Sequence, residues 1–357
     1  MMKLWWLLCC LAYIQITYGW VKQMENLNLF EGDMILTPKQ KEKVQNGDYG
    51  FGSKKDPREL WPRAEVPYDM SYDLASNSKA VKGINEAIEM YHKYTCIRFR
   101  KWQGERAYIH FFKGGGCSSG VGYGGGRNSI SLDDGCYWRT TVMHEIAHSL
   151  GFYHEQSRPD RDTYVEILTH NILNGAEGNF KKQPYSNVDS RGSPYDVRSM
   201  MHYSWNAFGK DGKMTIRVLN SRDQYEIGNR EGFSHGDIAQ INKVYGCKGN
   251  YPTLPPYVRP PPGCYDLGGG CADSRAEGRC TLSAWQSYMR KSCRRTCGFC
   301  GDGGGGPQPT SGTGGGTNCR DQNTASDCRK NIGYCRSSSS AWRDYMARVC
   351  KKTCGLC

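Results

Sequence analysis

The sequence lacks a long apolar run beyond its first residues, and this absence excludes a membrane-spanning segment. A helix needs about 20 consecutive apolar residues to cross a bilayer, and the apolar run within residues 1–19 is shorter than that. This run follows Lys3 and ends at Thr17-Tyr18-Gly19, a pattern that is typical of a cleavable secretory signal peptide. We therefore expect a secreted, extracellular protein without a transmembrane span.

The chain also lacks an Asn-x-Ser/Thr sequon, which excludes N-glycosylation. It lacks a nucleic-acid recognition motif as well, so its formal net charge of +12 does not indicate nucleic acid as a partner. Cysteine, in contrast, is abundant. Two of the 18 cysteines lie in the N-terminal apolar run, and the others divide as four, six and six among three segments. Even counts favour disulfides within each segment, in agreement with an oxidising compartment.

Composition divides the rest of the chain into segments. Residues 20–55 are polar and lack a sizeable apolar pattern, so we expect no core of their own. Residues 248–263 are rich in proline and predict an extended spacer, whereas the glycine-rich residues 301–318 predict a flexible linker. The predicted domains are residues 56–247, 264–300 and 319–357.

Residues 144–154 contain the pattern that carries the most chemical information. On a helix, His144 and His148 are four positions apart, so both imidazoles project from one face. Gly151 allows a sharp turn after the helix, which lets His154 approach from a second direction. Three nitrogen ligands and one open position are typical of a catalytic zinc. Glu145, beside the first ligand, is the candidate general base for activating water.

This zinc pattern predicts a hydrolase that attacks its substrate with activated water. The residues alone leave open which bond it cleaves, and whether it cleaves one at all. An amidase or deacetylase would use the same zinc chemistry, and a zinc-bearing pseudoenzyme would act only through its C-terminal modules. The complete set of His144, Glu145, His148 and His154 argues against the pseudoenzyme.

Residues 144–162, HEIAHSLGFYHEQSRPDRD, resemble the extended zinc signature of the astacin family of metzincin endopeptidases. Metzincins also share a methionine turn, and Ser199 to Tyr203 resembles it, with Met201 in the methionine position. The resemblance implies one Zn²⁺ per catalytic domain, above Met201. It also implies that Tyr203 is a swinging fifth ligand of the metal, which later donates a hydrogen bond to the transition state. Glu155 resembles the residue that contacts the mature N-terminus.

The resemblance covers roughly residues 58–247 and implies hydrolysis of peptide bonds, with protein or peptide substrates. It also implies an α+β fold, a metzincin-type protease domain split by an active-site cleft. Leu60-Trp61-Pro62 and Tyr245-Gly246-Cys247 resemble the two ends of this domain. Asn128 departs from the family pattern, in which many relatives have Gln. The resemblance also implies the disulfides Cys96–Cys247 and Cys117–Cys136.

Phe30-Glu31-Gly32-Asp33 resembles a motif of astacin propeptides, in which the aspartate occupies the open metal position. Residues 20–55 are therefore expected to be a propeptide, with Asp33 as its zinc switch. Maturation would require an activating protease that cuts near Gly50 to Lys55.

The two blocks of six cysteines form an internal repeat, because each ends Cys-x3-Cys-x2-Cys after a Trp and a Tyr-Met pair. Six cysteines allow 15 pairings, and the spacing does not choose among them. The blocks resemble ShKT modules, named for a sea-anemone potassium-channel toxin. That resemblance implies Cys264–Cys300, Cys271–Cys293 and Cys280–Cys297 in the first, and Cys319–Cys357, Cys328–Cys350 and Cys335–Cys354 in the second.

The role of these modules stays open between two classes. Channel block is disfavoured because the toxins use a Lys-Tyr pair, where this chain has Ser287-Tyr288 and Asp344-Tyr345. The net charges are +3 and +5, from six and eight Lys/Arg against three Asp/Glu each. Such basic patches suit docking to a substrate, to acidic matrix glycans or to an anionic membrane surface, and solvated charge without a partner stays open as the alternative.

Overall fold

The computed structural model describes residues 24–46, 57–183, 192–224, 226–228, 231–261, 264–266, 271–276 and 278–301. The predicted signal peptide, the predicted region of the activation cut and the second cysteine module with its predicted disulfides lie outside these residues. None of the helices in the described part is long and apolar enough to cross a membrane.

The helices and strands of the described residues lie mostly before residue 245. The helices are α1 (Pro38–Gln45), α2 (Tyr72–Ala75), α3 (Ser78–Tyr94), α4 (Arg139–Ser149), α5 (His235–Val244), α6 (Cys271–Ala276) and α7 (Ser283–Ser292). The strands are β1 (Met34–Ile35), β2 (Glu65–Met70), β3 (Arg98–Lys101), β4 (Tyr108–Phe112), β5 (Ser118–Gly120), β6 (Arg127–Ser131), β7 (Val165–Ile167) and β8 (Ile216–Val218).

Strands β1 to β6 form one sheet in the order β1–β5–β6–β4–β2–β3. β5 and β6 are antiparallel, and the other neighbouring pairs are parallel. In β4, Ile109 and Phe111 are buried while their neighbours are half-buried, which is the alternation expected of a sheet with one face on the core. The predicted α+β fold is confirmed.

Helix α3 packs against the segment that leads into α4. Asn77 caps its start, because the side-chain oxygen accepts hydrogen bonds from the amides of Lys79 and Ala80. At Gly83 a Cβ would lie 1.9 Å from the carbonyl oxygen of Tyr137, so only glycine allows this close approach. The Tyr91 hydroxyl donates a hydrogen bond of 2.7 Å to the carbonyl oxygen of Met143 within α4. These contacts make α3 the support of the predicted zinc helix.

Helix α4 is buried from Thr140 to Ser149, and its C-terminal carbonyls accept hydrogen bonds from distant side chains. Trp61 donates its indole N–H to the carbonyl oxygen of Ser149 at 2.9 Å. Tyr245 donates its hydroxyl to the carbonyl oxygen of Leu150 at 2.8 Å. The chain then turns at Gly151, whose φ of 100° is the left-handed conformation that ends many helices.

The second half of the catalytic region has a smaller core and little regular structure. β7 and β8 form a separate antiparallel pair. The apolar residues packed beside that pair include Phe180, Tyr203 and Phe208. Loops that carry aromatic side chains, rather than layers of helix and sheet, fill this half.

The described cysteines form disulfides within their own segments. The catalytic region contains the pairs Cys96–Cys247 and Cys117–Cys136. The first cysteine module contains the pairs Cys264–Cys300, Cys271–Cys293 and Cys280–Cys297. In this module Met289 is fully buried beside Trp285 and Phe299. A core this small depends on its disulfides.

Candidate metal centre

The histidines of the zinc pattern meet at one buried point. His144 and His148 project from α4, and His154 reaches them from the chain beyond Gly151; all three are at most 1% exposed. The Nε2 atom of His144 lies 3.1 Å from that of His148 and 3.3 Å from that of His154.

Each imidazole is oriented by a hydrogen bond from its other nitrogen. The Nδ1 atoms of His144 and His148 donate to the carbonyl oxygens of Met200 and Phe152, both at 2.8 Å. The Nδ1 atom of His154 donates to Oε2 of Glu31 at 2.9 Å. Because the proton is on Nδ1 in each ring, the Nε2 lone pairs face one another, as in metal-binding histidines.

The carboxylate of Asp33 completes the group. Its oxygens lie 3.2 Å, 3.4 Å and 3.3 Å from Nε2 of His144, His148 and His154, respectively.

These donors fit a zinc ion. Ligands at about 2.0–2.1 Å around a tetrahedral zinc lie about 3.3 Å from one another. The separations among the histidine nitrogens and the Asp33 oxygens, 3.1 to 3.4 Å, match that spacing. Facing lone pairs without a cation between them would repel one another. His144, His148 and His154 would therefore hold Zn²⁺, and Asp33 would take the fourth position.

Glu145 and Met201 are buried beside this group. Glu145 is on α4, directly after the first ligand, and is 0% exposed. Met201 is 4% exposed, and its carbonyl oxygen accepts a hydrogen bond from the amide of Glu155, the residue after the third histidine. This hydrogen bond joins the methionine turn to the segment that carries His154.

Asp237, which the sequence analysis missed, anchors the methionine turn. Its carboxylate accepts hydrogen bonds from the Ser199 hydroxyl at 2.6 Å and from the Met200 amide at 3.0 Å. It also accepts the Ser234 amide, as part of the capping box of α5. The only pattern in the sequence that includes Asp237 is the capping pattern Ser-x-x-Asp at residues 234–237. This pattern predicts the start of a helix and not the contact with the methionine turn.

Tyr203 lies at the metal group, and its hydroxyl is engaged by the segment before the catalytic domain. Its ring centroid is 4.7 Å from that of His154. The hydroxyl donates a hydrogen bond of 2.6 Å to the carbonyl oxygen of Glu31, and the Tyr203 amide donates to the side chain of Gln156. Glu31 therefore contacts both His154 and Tyr203, and no local sequence pattern predicts this.

The backbone at Glu31 and Gly32 allows this double contact. Both residues have positive φ values, 47° and 85°. At Gly32 a Cβ would lie 2.5 Å from the carbonyl oxygen of Met24 and 2.8 Å from the Phe208 ring. Only glycine therefore lets the chain turn so closely and direct Asp33 into the metal group.

Glu155 is buried and has protein partners in this structure. Its Oε1 accepts hydrogen bonds from Arg158 and from the amide of Asp196, both at 2.9 Å. Burial raises its pKa to about 8, although the nearby Arg158 opposes the rise.

Comparison with known proteins places this centre in a family. A model of astacin, peptidase family M12A, matches residues 53–246, and a model of ShK-like domains matches residues 263–300 and 318–357. The chain is 33% identical to zinc metalloproteinase nas-6 of Caenorhabditis elegans, over 78% of this chain and 85% of that protein. It is 32% identical to nas-15 of the same nematode over 78% of this chain, but spans only about half, 55%, of nas-15.

Solved structures are similar as well, and one of them is a protease of known source. High choriolytic enzyme 1, a hatching enzyme zinc-protease from the medaka Oryzias latipes, is 33% identical, with a TM-score of 0.49. The similarity covers 57% of this chain and 96% of that one. Since the M12A model matches more than half of the sequence and spans the buried histidine triad, the chain belongs to the astacin family of zinc metalloendopeptidases.

Proposed function

We propose that this chain is a secreted endopeptidase made as an inactive precursor, in which residues 20–55 block the metal centre until an activating protease removes them. The observation that carries the proposal is the placement of Asp33 within 3.4 Å of all three zinc ligands. A carboxylate in the fourth position excludes the catalytic water from it.

Two further contacts of the same segment support an inhibitory role. Glu31 accepts the Tyr203 hydroxyl through its carbonyl oxygen and contacts His154 through its side chain. Strand β1 pairs with β5, and the Ser119 amide donates to the carbonyl oxygen of Asp33 at 2.9 Å. Loss of residues 20–55 would therefore free the fourth position, Tyr203 and the edge of the sheet together.

The freed edge of β5 is a natural site for a peptide substrate. An extended peptide adds to an exposed strand through main-chain hydrogen bonds, which do not depend on its side chains. Ser118–Gly120 offers such an edge directly beside the metal group once β1 has left.

The mechanism assigns a distinct role to each residue. His144, His148 and His154 would hold a zinc ion, which would supply Lewis-acid polarisation of water and of the peptide carbonyl. Glu145 accepts a proton from the attacking water and passes it to the leaving amine. Tyr203 donates a hydrogen bond to the carbonyl oxygen as negative charge develops on it. In the structure the same hydroxyl donates to a peptide carbonyl oxygen, that of Glu31.

Glu155 would receive the new N-terminus after maturation. A buried carboxylate with a raised pKa gains most from a nearby positive charge. The new α-amino group would supply this charge.

The cysteine modules would dock the enzyme to acidic partners. The positive charge of the modules suits sulfated glycans of the matrix. The first module presents Arg275, Arg290 and Lys291 to solvent. Retention of the full chain on a sulfated-glycan column, lost at high salt and in a variant with these three residues changed to Ala, would support this role. Equal retention of both proteins would remove it.

The test of the proposed activity compares three preparations of the full chain on a diverse peptide mixture: untrimmed, trimmed, and trimmed with a zinc chelator. We expect internal cuts only in the trimmed protein without chelator. Cuts by the untrimmed protein would contradict the inhibitory role of residues 20–55. No cuts by trimmed, zinc-loaded protein would favour a pseudoenzyme, and release of side-chain or acetyl groups alone would favour an amidase or deacetylase.

A further inference from the structure

The linker after the catalytic domain lies against that domain instead of standing away from it. Tyr257 is half-buried, and the guanidinium carbon of Arg198, in the catalytic domain, lies 3.7 Å from its ring centroid. Arg295, in the first cysteine module, lies 5.6 Å from the same centroid. One linker ring therefore contacts cations from both sides of the domain boundary.

Arg295 also faces a buried carboxylate of the catalytic domain. Its Nη1 atom lies 3.5 Å from Oε2 of Glu226, whose side chain is only 2% exposed. Burial raises the pKa of Tyr257 to about 12, and the neighbouring Glu226 adds to the rise. A charge buried to this extent is costly unless a cation lies beside it, and the cysteine module supplies one.

A second ion pair fixes the linker nearby. Arg259 pairs with Asp223 at 2.7 Å, and Asp223 is three residues before Glu226. Pro260, the next residue of the linker, is buried. The linker is thus held on the catalytic domain before the first cysteine of the module.

These contacts adjoin the turn that carries Met201 and Tyr203. Arg198 directly precedes Ser199, the first residue of that turn. Close to Glu226, Gly228 packs on the other end of the turn: a Cβ there would lie 2.5 Å from Cα of Ser204 and 2.8 Å from the Tyr203 carbonyl oxygen.

We infer that the first cysteine module is a fixed part of the catalytic unit, and that a docking hub of Arg198, Glu226, Tyr257 and Arg295 positions the turn that bears Tyr203. The hub residues are positioning residues that act through Tyr203. The docking of the module does not depend on the proposed function. The effect of the docking on catalysis, in contrast, rests on the proposed function.

Hydrogen exchange on the full-length precursor tests the docking without using activity. In Arg295→Ala, we expect faster amide exchange in residues 197–204 and 224–228, because Glu226 loses its cation and Tyr257 loses one contact. Arg279→Ala is the matched control, since Arg279 makes the same kind of contact, 4.4 Å from the Trp285 ring, entirely within the module. The inference would be overturned if these amides exchanged in Arg295→Ala at the wild-type rate, or if Arg279→Ala accelerated their exchange as much as Arg295→Ala does.

Arg295→Lys keeps the positive charge beside Glu226 but not the planar guanidinium. It is expected to restore most of the protection. If Arg295→Ala does not accumulate as folded protein, Arg295→Lys and Arg295→Gln are compared instead, and equal exchange in these two would overturn the role of the charge.

Kinetics on a short peptide then test the positioning of Tyr203 in trimmed enzyme. Arg295→Ala is expected to lower kcat about tenfold, as small displacements of a catalytic group do, and to leave KM unchanged. In a Tyr203→Phe background the same substitution should have no further effect on kcat. Additive losses, or a change in KM alone, would show that the module does not act through Tyr203. Inactivity of the wild-type enzyme would instead count against the proposed function.

Discussion

The two halves of the catalytic domain hold their functional residues in different ways. In the first half, His144, Glu145 and His148 are on one buried helix, backed by α3 and the sheet. In the second half, Met201 and Tyr203 are on irregular chain, whose groups donate hydrogen bonds to the side chains of Asp237 and Gln156. Helix periodicity suffices to bring metal ligands together, whereas a loop is positioned only by distant partners.

The largest expected effect is in the first half, at Glu145. Glu145→Ala in trimmed enzyme should lower kcat/KM about a thousandfold, because it removes the proposed general base. The zinc content, measured by elemental analysis, should equal that of the wild type, since the three histidines remain. Loss of zinc in this variant would contradict the assigned role.

The corresponding substitution in the second half removes the anchor of the methionine turn. Asp237→Ala should reduce the free energy of unfolding by about 3 kcal/mol, because the Ser199 hydroxyl and the Met200 amide lose a buried charged acceptor. Denaturant unfolding measures this change. Ser234→Ala, which removes only the helix cap, should cost about 1 kcal/mol. Equal losses in the two variants would mean that Asp237 acts only as a cap.

The same residue predicts a pH dependence. Burial, with nearby Asp196, raises the pKa of Asp237 from 3.8 to about 6. Between pH 3.8 and about 6, the folded protein therefore binds more protons at Asp237 than the unfolded chain does. The free energy of unfolding consequently falls as the pH rises through this range. Asp237→Ala should flatten the stability profile across this range; an unchanged slope would show that the carboxyl does not titrate there.

A packing change in the first half is expected to have a smaller effect. Gly83→Ala would force the new Cβ against the Tyr137 carbonyl oxygen, separating α3 from α4 at a cost of about 2 kcal/mol. Gly115→Ala is the matched control, because a Cβ there would meet nothing within 4 Å. Thermal unfolding distinguishes the two, and similar melting temperatures would contradict the close contact at Gly83.

The smallest expected effect concerns one hydroxyl in the second half. Tyr203→Phe should lower kcat about tenfold through loss of a hydrogen bond to the transition state. Tyr164→Phe, at a tyrosine of the same half that is 38% exposed, should leave kcat unchanged. Equal kcat values for wild type and Tyr203→Phe would remove Tyr203 from the mechanism.

Sequence reasoning succeeded where function depends on local spacing. The i, i+4 pair His144 and His148 required only the geometry of a helix, and Gly151 indicated the turn that brings His154 to them. Family resemblance added Met201 and Tyr203, which no periodicity would reveal. The confirmed α+β fold rested on the same resemblance.

The contacts that sequence reasoning missed all join distant parts of the chain. Asp237 looked like a helix cap, and Glu31 like one more acidic residue beside Asp33. Residues 248–263 were predicted to be an extended spacer, yet composition carries no sign that Tyr257 would lie between Arg198 and Arg295. Partners far apart in sequence leave no local pattern.

By itself, the sequence determined the metal, its ligands and the class of chemistry, because ligand geometry follows from helix pitch and one turn. Only the tertiary structure decided which distant residues contact that site and its turn: Asp237 under the methionine turn, Glu31 against His154 and Tyr203, and Arg295 beside Glu226. Each of these contacts depends on burial, which gives a hydrogen bond or an ion pair its strength and which exists only once the chain has folded.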